Sequence, residues 1–278
     1  MLLDTHVHLI YRKQLDYPWL DSEPALNRDA IYDDYLRQAR QLGITRALHM
    51  EVDVAQADME RETDMIERLM AREDSILVGA IAACRPENTD FPAYLERQLE
   101  RKSVKGFRRV LHVVPDDVST TSTFRDNVNR LAKTDLPYDL CVDARQLPLA
   151  IELVDACPNV HFVLDHCGVP DIGNDAWQPW ADHMRDISRR DNLNAKISGV
   201  IAYGDGCQWT LPQLRRYVEH TIDSLGWDRI VWGSDSPVCT LGGEIGTWVA
   251  ALRTIIDGAS AAEKDKLFQT NAKRIWKL

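Results

Sequence analysis

The sequence predicts an α/β fold, a parallel (β/α)8 barrel of the TIM type, on three observations. Eight short apolar or β-branched runs recur along the 278 residues, the chain between successive runs is long enough for one helix, and polar residues collect where the runs end. The runs are residues 2–9, 45–52, 76–83, 104–111, 138–142, 160–165, 193–198 and 229–233. Strands buried on both faces read as continuous apolar stretches of this kind. The clearest helix is predicted over 29–42, where Ile31, Tyr35, Ala39 and Leu42 share a face and Gly43 follows as terminator. The others are expected over 60–71, 92–101 with Pro92 in its first turn, 123–132, 147–156, 180–189, 211–224 and 247–256.

No linker, low-complexity tract or charge block interrupts the alternation, so one domain spanning 1–278 is expected. A hydrophobic content of 45% is enough for a large core. The formal net charge of -10 speaks against nucleic acid, whose phosphates call for clustered Lys and Arg. No apolar stretch is long enough to cross a membrane, and the start MLLDTHVHL is charged too early for a signal peptide, so a cytoplasmic protein is expected. The six cysteines form no C-x-x-C pair and read as reduced thiols. A homo-oligomer is left open.

In such a barrel the catalytic groups sit at the C-terminal ends of the strands. The predicted strands deliver His6 and His8, then Glu51, then Arg108 and Arg109 with His112, then Asp143 and Arg145, then Asp165 and His166, then Lys196 and Ser198, and last Asp235. His6 and His8, two apart in an extended chain, share a face and can converge on one ion or substrate atom. Of the adjacent arginines only one can point inward, and Arg108 is preferred because Gly106 gives room nearby. A buried Lys196 needs an anionic partner, for which Asp235 or Asp165 is available. Each residue alone also has a plain structural explanation: His166 as a loop histidine, Asp235 as a helix cap, the arginines as surface ion pairs. Two long excursions, 10–26 and 200–210, lie on the same face and carry Tyr11, Tyr17 and Trp19, and Tyr203 and Trp209, which either line a pocket for a ring-shaped substrate or pack the loops.

Together the pieces DTHVH, LDHCG, AKISG and WGSDSPVC resemble the amidohydrolase superfamily. With KGFRRVLH, YDLCVDARQL and the terminal NAKRIWKL, the chain is similar over nearly its full length to the sugar-lactonase branch that includes L-fuconolactonase and L-rhamnonolactonase, and to the dicarboxylate lactonases of aromatic catabolism. The resemblance implies a small-molecule lactone as substrate. It makes His6, His8, His166 and Asp235 the central constellation, with Asp235 as general base toward water and the same four residues as ligands of one divalent ion, zinc before others. Binuclear members carry a carboxylated lysine at strand four and a histidine at strand five; this chain has Phe107-Arg108-Arg109 and Asp143-Ala144-Arg145, so two metals are not expected. Metal-independent catalysis, as in some lactonases of the branch, stays open. Glu51 stands where related lactonases have glutamine, as a ligand or a substrate contact. Arg108, Arg145, Lys196 and Trp19 complete the expected substrate-binding set. The leading expectation is opening of an aldonolactone to its aldonic acid; the alternatives are a carboxylated or sulfonated lactone, decarboxylation, and a noncatalytic barrel that binds a sugar acid.

Overall fold

A computed structural model describes residues 1–278. Eight strands lie side by side in chain order in one parallel sheet: β1 (Leu2–Val7), β2 (Ile44–Met50), β3 (Leu77–Ala83), β4 (Val104–Val110), β5 (Tyr138–Cys141), β6 (Phe162–Leu164), β7 (Leu193–Ser198) and β8 (Ile230–Gly233). Between and after them run α1 (Tyr32–Leu42), α2 (Met59–Met70), α3 (Phe91–Leu99), α4 (Ser122–Asn129), α5 (Leu147–Ala156), α6 (Trp180–Ile187), α7 (Leu211–Leu225) and α8 (Ile245–Ile255). The (β/α)8 barrel expected from the alternation is therefore the fold. No helix is long and apolar enough to cross a membrane.

Between β1 and β8 the barrel closes by single contacts rather than a regular ladder. Val7 and Ser236 form an isolated parallel bridge, and Thr5 Oγ1 donates to the Trp232 carbonyl at 2.7 Å. One main core cluster, 72 buried side chains, fills the space between strands and helices and brings the helix faces onto the barrel. α1 stops where Gly43 takes φ +75°, the left-handed cap that glycine adopts without strain. Its start differs from expectation. Ala30 is drawn into a backbone pair with Ile10, and Asp29 accepts the N–H of Arg12, so the helix begins at Tyr32 rather than 29.

The sequence reading ended with the eighth helix, but the structure continues. α9 (Ala261–Asp265) runs through a π-helical turn, Lys266–Thr270, into α10 (Asn271–Ile275), and Trp276 follows. Trp276 and Ala272 cluster with Leu3, Leu48, Met50, Ile81, Val163 and Val231, closing the bottom of the barrel. Asn271 pins this segment by donating to the carbonyls of Trp227 and Ile230 at 2.7 and 2.8 Å.

Candidate active site

The site is assembled where β1 meets β8. Asp4 is fully buried; its Oδ1 accepts the N–H groups of His6 and Ser234 at 3.1 and 2.8 Å, and its Oδ2 accepts the Tyr35 hydroxyl at 2.8 Å. Burial pushes this carboxyl up to about 6. Asp235 N donates to the His6 carbonyl at 2.8 Å and His8 N to the Ser236 carbonyl at 2.7 Å. The two motifs at opposite ends of the chain are thus joined backbone to backbone, and their side chains meet.

His6 Nε2 and His8 Nε2 lie 3.2 Å apart, and Asp235 Oδ1 stands 3.6 and 3.3 Å from them. His8 Nδ1 sits 3.0 Å from the Met50 carbonyl, which can only accept, so Nδ1 holds the hydrogen and Nε2 keeps its lone pair. His6 turns Nδ1 toward Asp165 and Lys196, at 3.5 and 3.4 Å, which leaves Nε2 on the side of the cluster. Burial holds His8 down to about 3 and lowers His6 strongly, so both rings are neutral near pH 7. Asp235 is pushed up to about 6 by burial, against the pull of His166 and Arg108. Neither of its carboxylate oxygens has a hydrogen-bond partner. A buried carboxylate without partners is costly, and one that persists is aimed at something that binds.

His166 arrives by an unusual turn. β6 ends at Leu164, earlier than expected, because His166, Cys167, Gly168 and Val169 all take positive φ, between +44° and +69°. Such a left-handed run costs non-glycine residues energy and is retained where it serves a site. Ser198 fixes the ring, with its carbonyl 3.2 Å and its hydroxyl 2.9 Å from Nδ1. The four expected residues stand together: His6, His8 and Asp235 form one cluster, and His166, which groups with His6 and Asp165, has its Nδ1 held by Ser198 and 3.7 Å from Asp235 Oδ2.

Beneath the cluster lies a buried layer of charge. Arg108 Nε donates to Glu51 Oε1 at 2.6 Å, its Nη2 to the Glu51 carbonyl at 2.7 Å, and its Nη1 to Asp165 Oδ2 at 3.3 Å. Lys196 pairs with Asp139 and, at 3.1 Å, with Asp165. The partner of Lys196 is thus Asp139 together with Asp165, not Asp235. Asp139 was missed because it lies inside an apolar strand; its signal is the lone carboxylate in Tyr138-Asp139-Leu140-Cys141, which a buried cation had to answer.

The residues present fit one divalent ion. At zinc–ligand distances of about 2.0–2.1 Å, tetrahedral ligands stand about 3.3–3.4 Å apart, matching the triangle of His6 Nε2, His8 Nε2 and Asp235 Oδ1. The donor set agrees: two neutral imidazoles and a carboxylate without a hydrogen-bond partner are ligands of the type zinc takes.

Above the cluster opens a cavity of about 380 Å³. His8, His166, Asp235 and Arg108 form part of its wall, and Ile10, Trp19, Leu26, Val110, Val169, Tyr203, Val238 and Leu241 supply an apolar surround. Trp19 lies on this wall, its indole N–H donating to the Val52 carbonyl at 2.8 Å. Three expected substrate contacts do not reach the cavity. Arg145 is at the surface on Asp116, because β5 ends at Cys141 and Asp143 caps a turn onto Gln146 N that carries Arg145 outward. Glu51 and Lys196 are sealed below, supporting Arg108 and Asp165. Of the arginine pair, Arg108 faces inward and Arg109 is held by Glu87 and Asp53. Glu23 and Asp53 are wall residues that the sequence reading did not single out.

Residues 3–278 match the amidohydrolase family. The chain belongs to that family. This amidohydrolase is 28% identical over 296 residues to an L-fucono-1,5-lactonase of Burkholderia multivorans, covering 99% of this chain and 96% of the relative. It is 23% identical over 244 residues to a 4-sulfomuconolactone hydrolase of Rhizobium radiobacter, covering 84% and 75%. The crystal structure of an amidohydrolase from Burkholderia multivorans with bound zinc superposes with a TM-score of 0.90 at 24% identity, covering 100% of this chain and 99% of the other. At that identity the superposition speaks for the fold of this amidohydrolase.

Proposed function

We propose that this amidohydrolase opens a neutral, sugar-derived lactone to its aldonic acid. The observation that carries this reading is the partnerless Asp235 carboxylate, buried beside two neutral imidazoles at the floor of a cavity whose only cation, Arg108, is already paired. Asp235 accepts a proton from a water molecule as its oxygen attacks the lactone carbonyl. The tetrahedral oxyanion forms beside His6, His8 and the Arg108 guanidinium, where low dielectric strengthens each interaction. When the ring C–O bond breaks, Asp235 returns the proton to the departing ring oxygen, and the new carboxylic acid loses its own proton to solvent. His6, His8 and Asp235 would hold a zinc ion, which when bound supplies Lewis-acid polarisation of the carbonyl.

A panel of aldonolactones tests this directly: turnover of at least one is expected, and a folded enzyme inert toward all of them would refute it. The runner-up is a carboxylated or sulfonated lactone, supported by the 4-sulfomuconolactone hydrolase relative. It is disfavoured by the cavity wall, where Glu23 and Asp53 sit and Arg145 is absent. A dianionic lactone turned over faster than every neutral one would reverse the order. A noncatalytic sugar-acid-binding barrel predicts binding of aldonate without turnover of any lactone.

A further inference from the structure

The cavity must also hold the part of the substrate that does not react, and most of its polar wall is already committed. Arg108 is spent on Glu51 and Asp165. Asp53 accepts from Arg85 at 2.8 Å and Arg109 at 3.4 Å, and the Trp19 N–H is on a backbone carbonyl. A hydroxylated ring in such a pocket needs hydrogen-bonding groups that are not committed.

His112 meets this need. It lies two residues beyond β4 on the cavity wall, and its Nδ1 is 3.6 Å from Cys141 Sγ. The same sulfur is 3.9 Å from Arg108 Nη1, a group that can only donate. Sulfur accepts from Arg108, and the Cys141 backbone carbonyl, which can only accept, bonds the His112 ring and opposes the fall that burial imposes on its pKa. Burial drives the Cys141 pKa far up, so the sulfur stays a neutral thiol. Cys141 therefore holds the Nδ1 edge of the ring and leaves Nε2, the one nitrogen of this ring without a protein partner, for a ligand.

We propose that His112 is a specificity-determining residue whose Nε2 hydrogen-bonds a hydroxyl of the lactone ring, and that Cys141 is the positioning residue that holds the other edge of the imidazole. This rests on the reading of the site as a neutral-lactone hydrolase. Its energetic logic is that a site built to hydrogen-bond a hydroxyl discriminates against the analogue lacking it.

The test compares wild type with His112→Leu, His112→Asn, Cys141→Ala and Cys141→Ser on one turned-over aldonolactone and its singly deoxygenated analogues. For His112→Leu, KM is expected to rise about tenfold while kcat stays within about twofold. Wild type should prefer the full lactone over one particular deoxy analogue, and His112→Leu should lose that preference; if that variant does not fold, His112→Asn serves for the same comparison. Cys141→Ala should shift KM in the same direction and Cys141→Ser, which keeps a polar contact to the ring, should restore it. Unchanged KM and unchanged discrimination in a variant of an active enzyme would overturn the inference alone. Wild type inert toward all neutral lactones would overturn both it and the reading beneath it.

Discussion

At the scale of single residues the site depends on backbone that ordinary side chains avoid. Asp53, His166 and Asp235, all on the cavity wall, have φ of +45°, +53° and +58°. Such strain persists only where the surroundings over-determine it. Gly199 shows how tight those surroundings are: a Cβ there would fall 2.2 Å from Asp235 Oδ2. Gly199→Ala is therefore expected to lower both stability and kcat, because the strained backbone adds about 1–3 kcal/mol and the methyl must push the base aside. Gly43→Ala is the matched control, since its φ is +75° but nothing lies within 4 Å of the added carbon. It should lower the Tm and leave kcat/KM intact; equal losses of activity in both would refute the steric argument. Asp235→Asn keeps the shape but cannot take a proton, so kcat should fall by about 10³ or more with an unchanged fold, read by steady-state kinetics and circular dichroism. Arg145→Ala should leave kcat/KM untouched for neutral and anionic lactones alike, since the side chain serves a surface pair with Asp116.

Among elements, legibility followed burial pattern. β7 was expected at its observed limits because Leu193-Asn194-Ala195-Lys196-Ile197-Ser198 runs from one loop to the next without ambiguity. His6, His8 and Asp235 were legible because chemistry-bearing residues ended apolar runs in a fold that gathers strand ends. Arg145 was misplaced because side-chain direction depends on turns that no periodicity encodes, here a capping turn, whereas Lys196 points into the barrel on Asp165 as expected and is held below the cavity by Asp139 as well. The C-terminal segment was overlooked because eight strand–helix units already completed the barrel. It is nevertheless structural. Trp276 is 2% exposed under the strands, and Lys196 Nζ lies 5.4 Å above its ring. Trp276→Ala is expected to cost about 3–5 kcal/mol, a fall in Tm of roughly 10 °C, read by thermal unfolding. A shift near zero would mean that the barrel floor is sealed without it.

At the scale of the whole molecule, the barrel concentrates paired charge in its centre. Glu51, Asp139 and Asp165 share a dry layer with Arg108 and Lys196, next to three ligand atoms at tetrahedral spacing. Removing one cation from such a layer is worse than removing a surface charge, because partners remain buried and unpaired. Adding a divalent cation should have the opposite effect. A ligand that binds only the folded state stabilises it by about 2.7 kcal/mol at a hundredfold excess over Kd. Zinc is thus expected to raise the Tm of chelator-stripped protein, saturably and with one equivalent bound by metal analysis. Asp235→Asn should reduce the shift, since one ligand loses its charge, whereas Arg145→Ala should not change it. Lactone turnover before and after chelation then separates two roles of the same cluster. Loss on chelation with recovery on one equivalent of zinc means that the ion takes part in the reaction; turnover that persists in protein with neither bound zinc nor a Tm shift means that His6, His8 and Arg108 stabilise the oxyanion themselves.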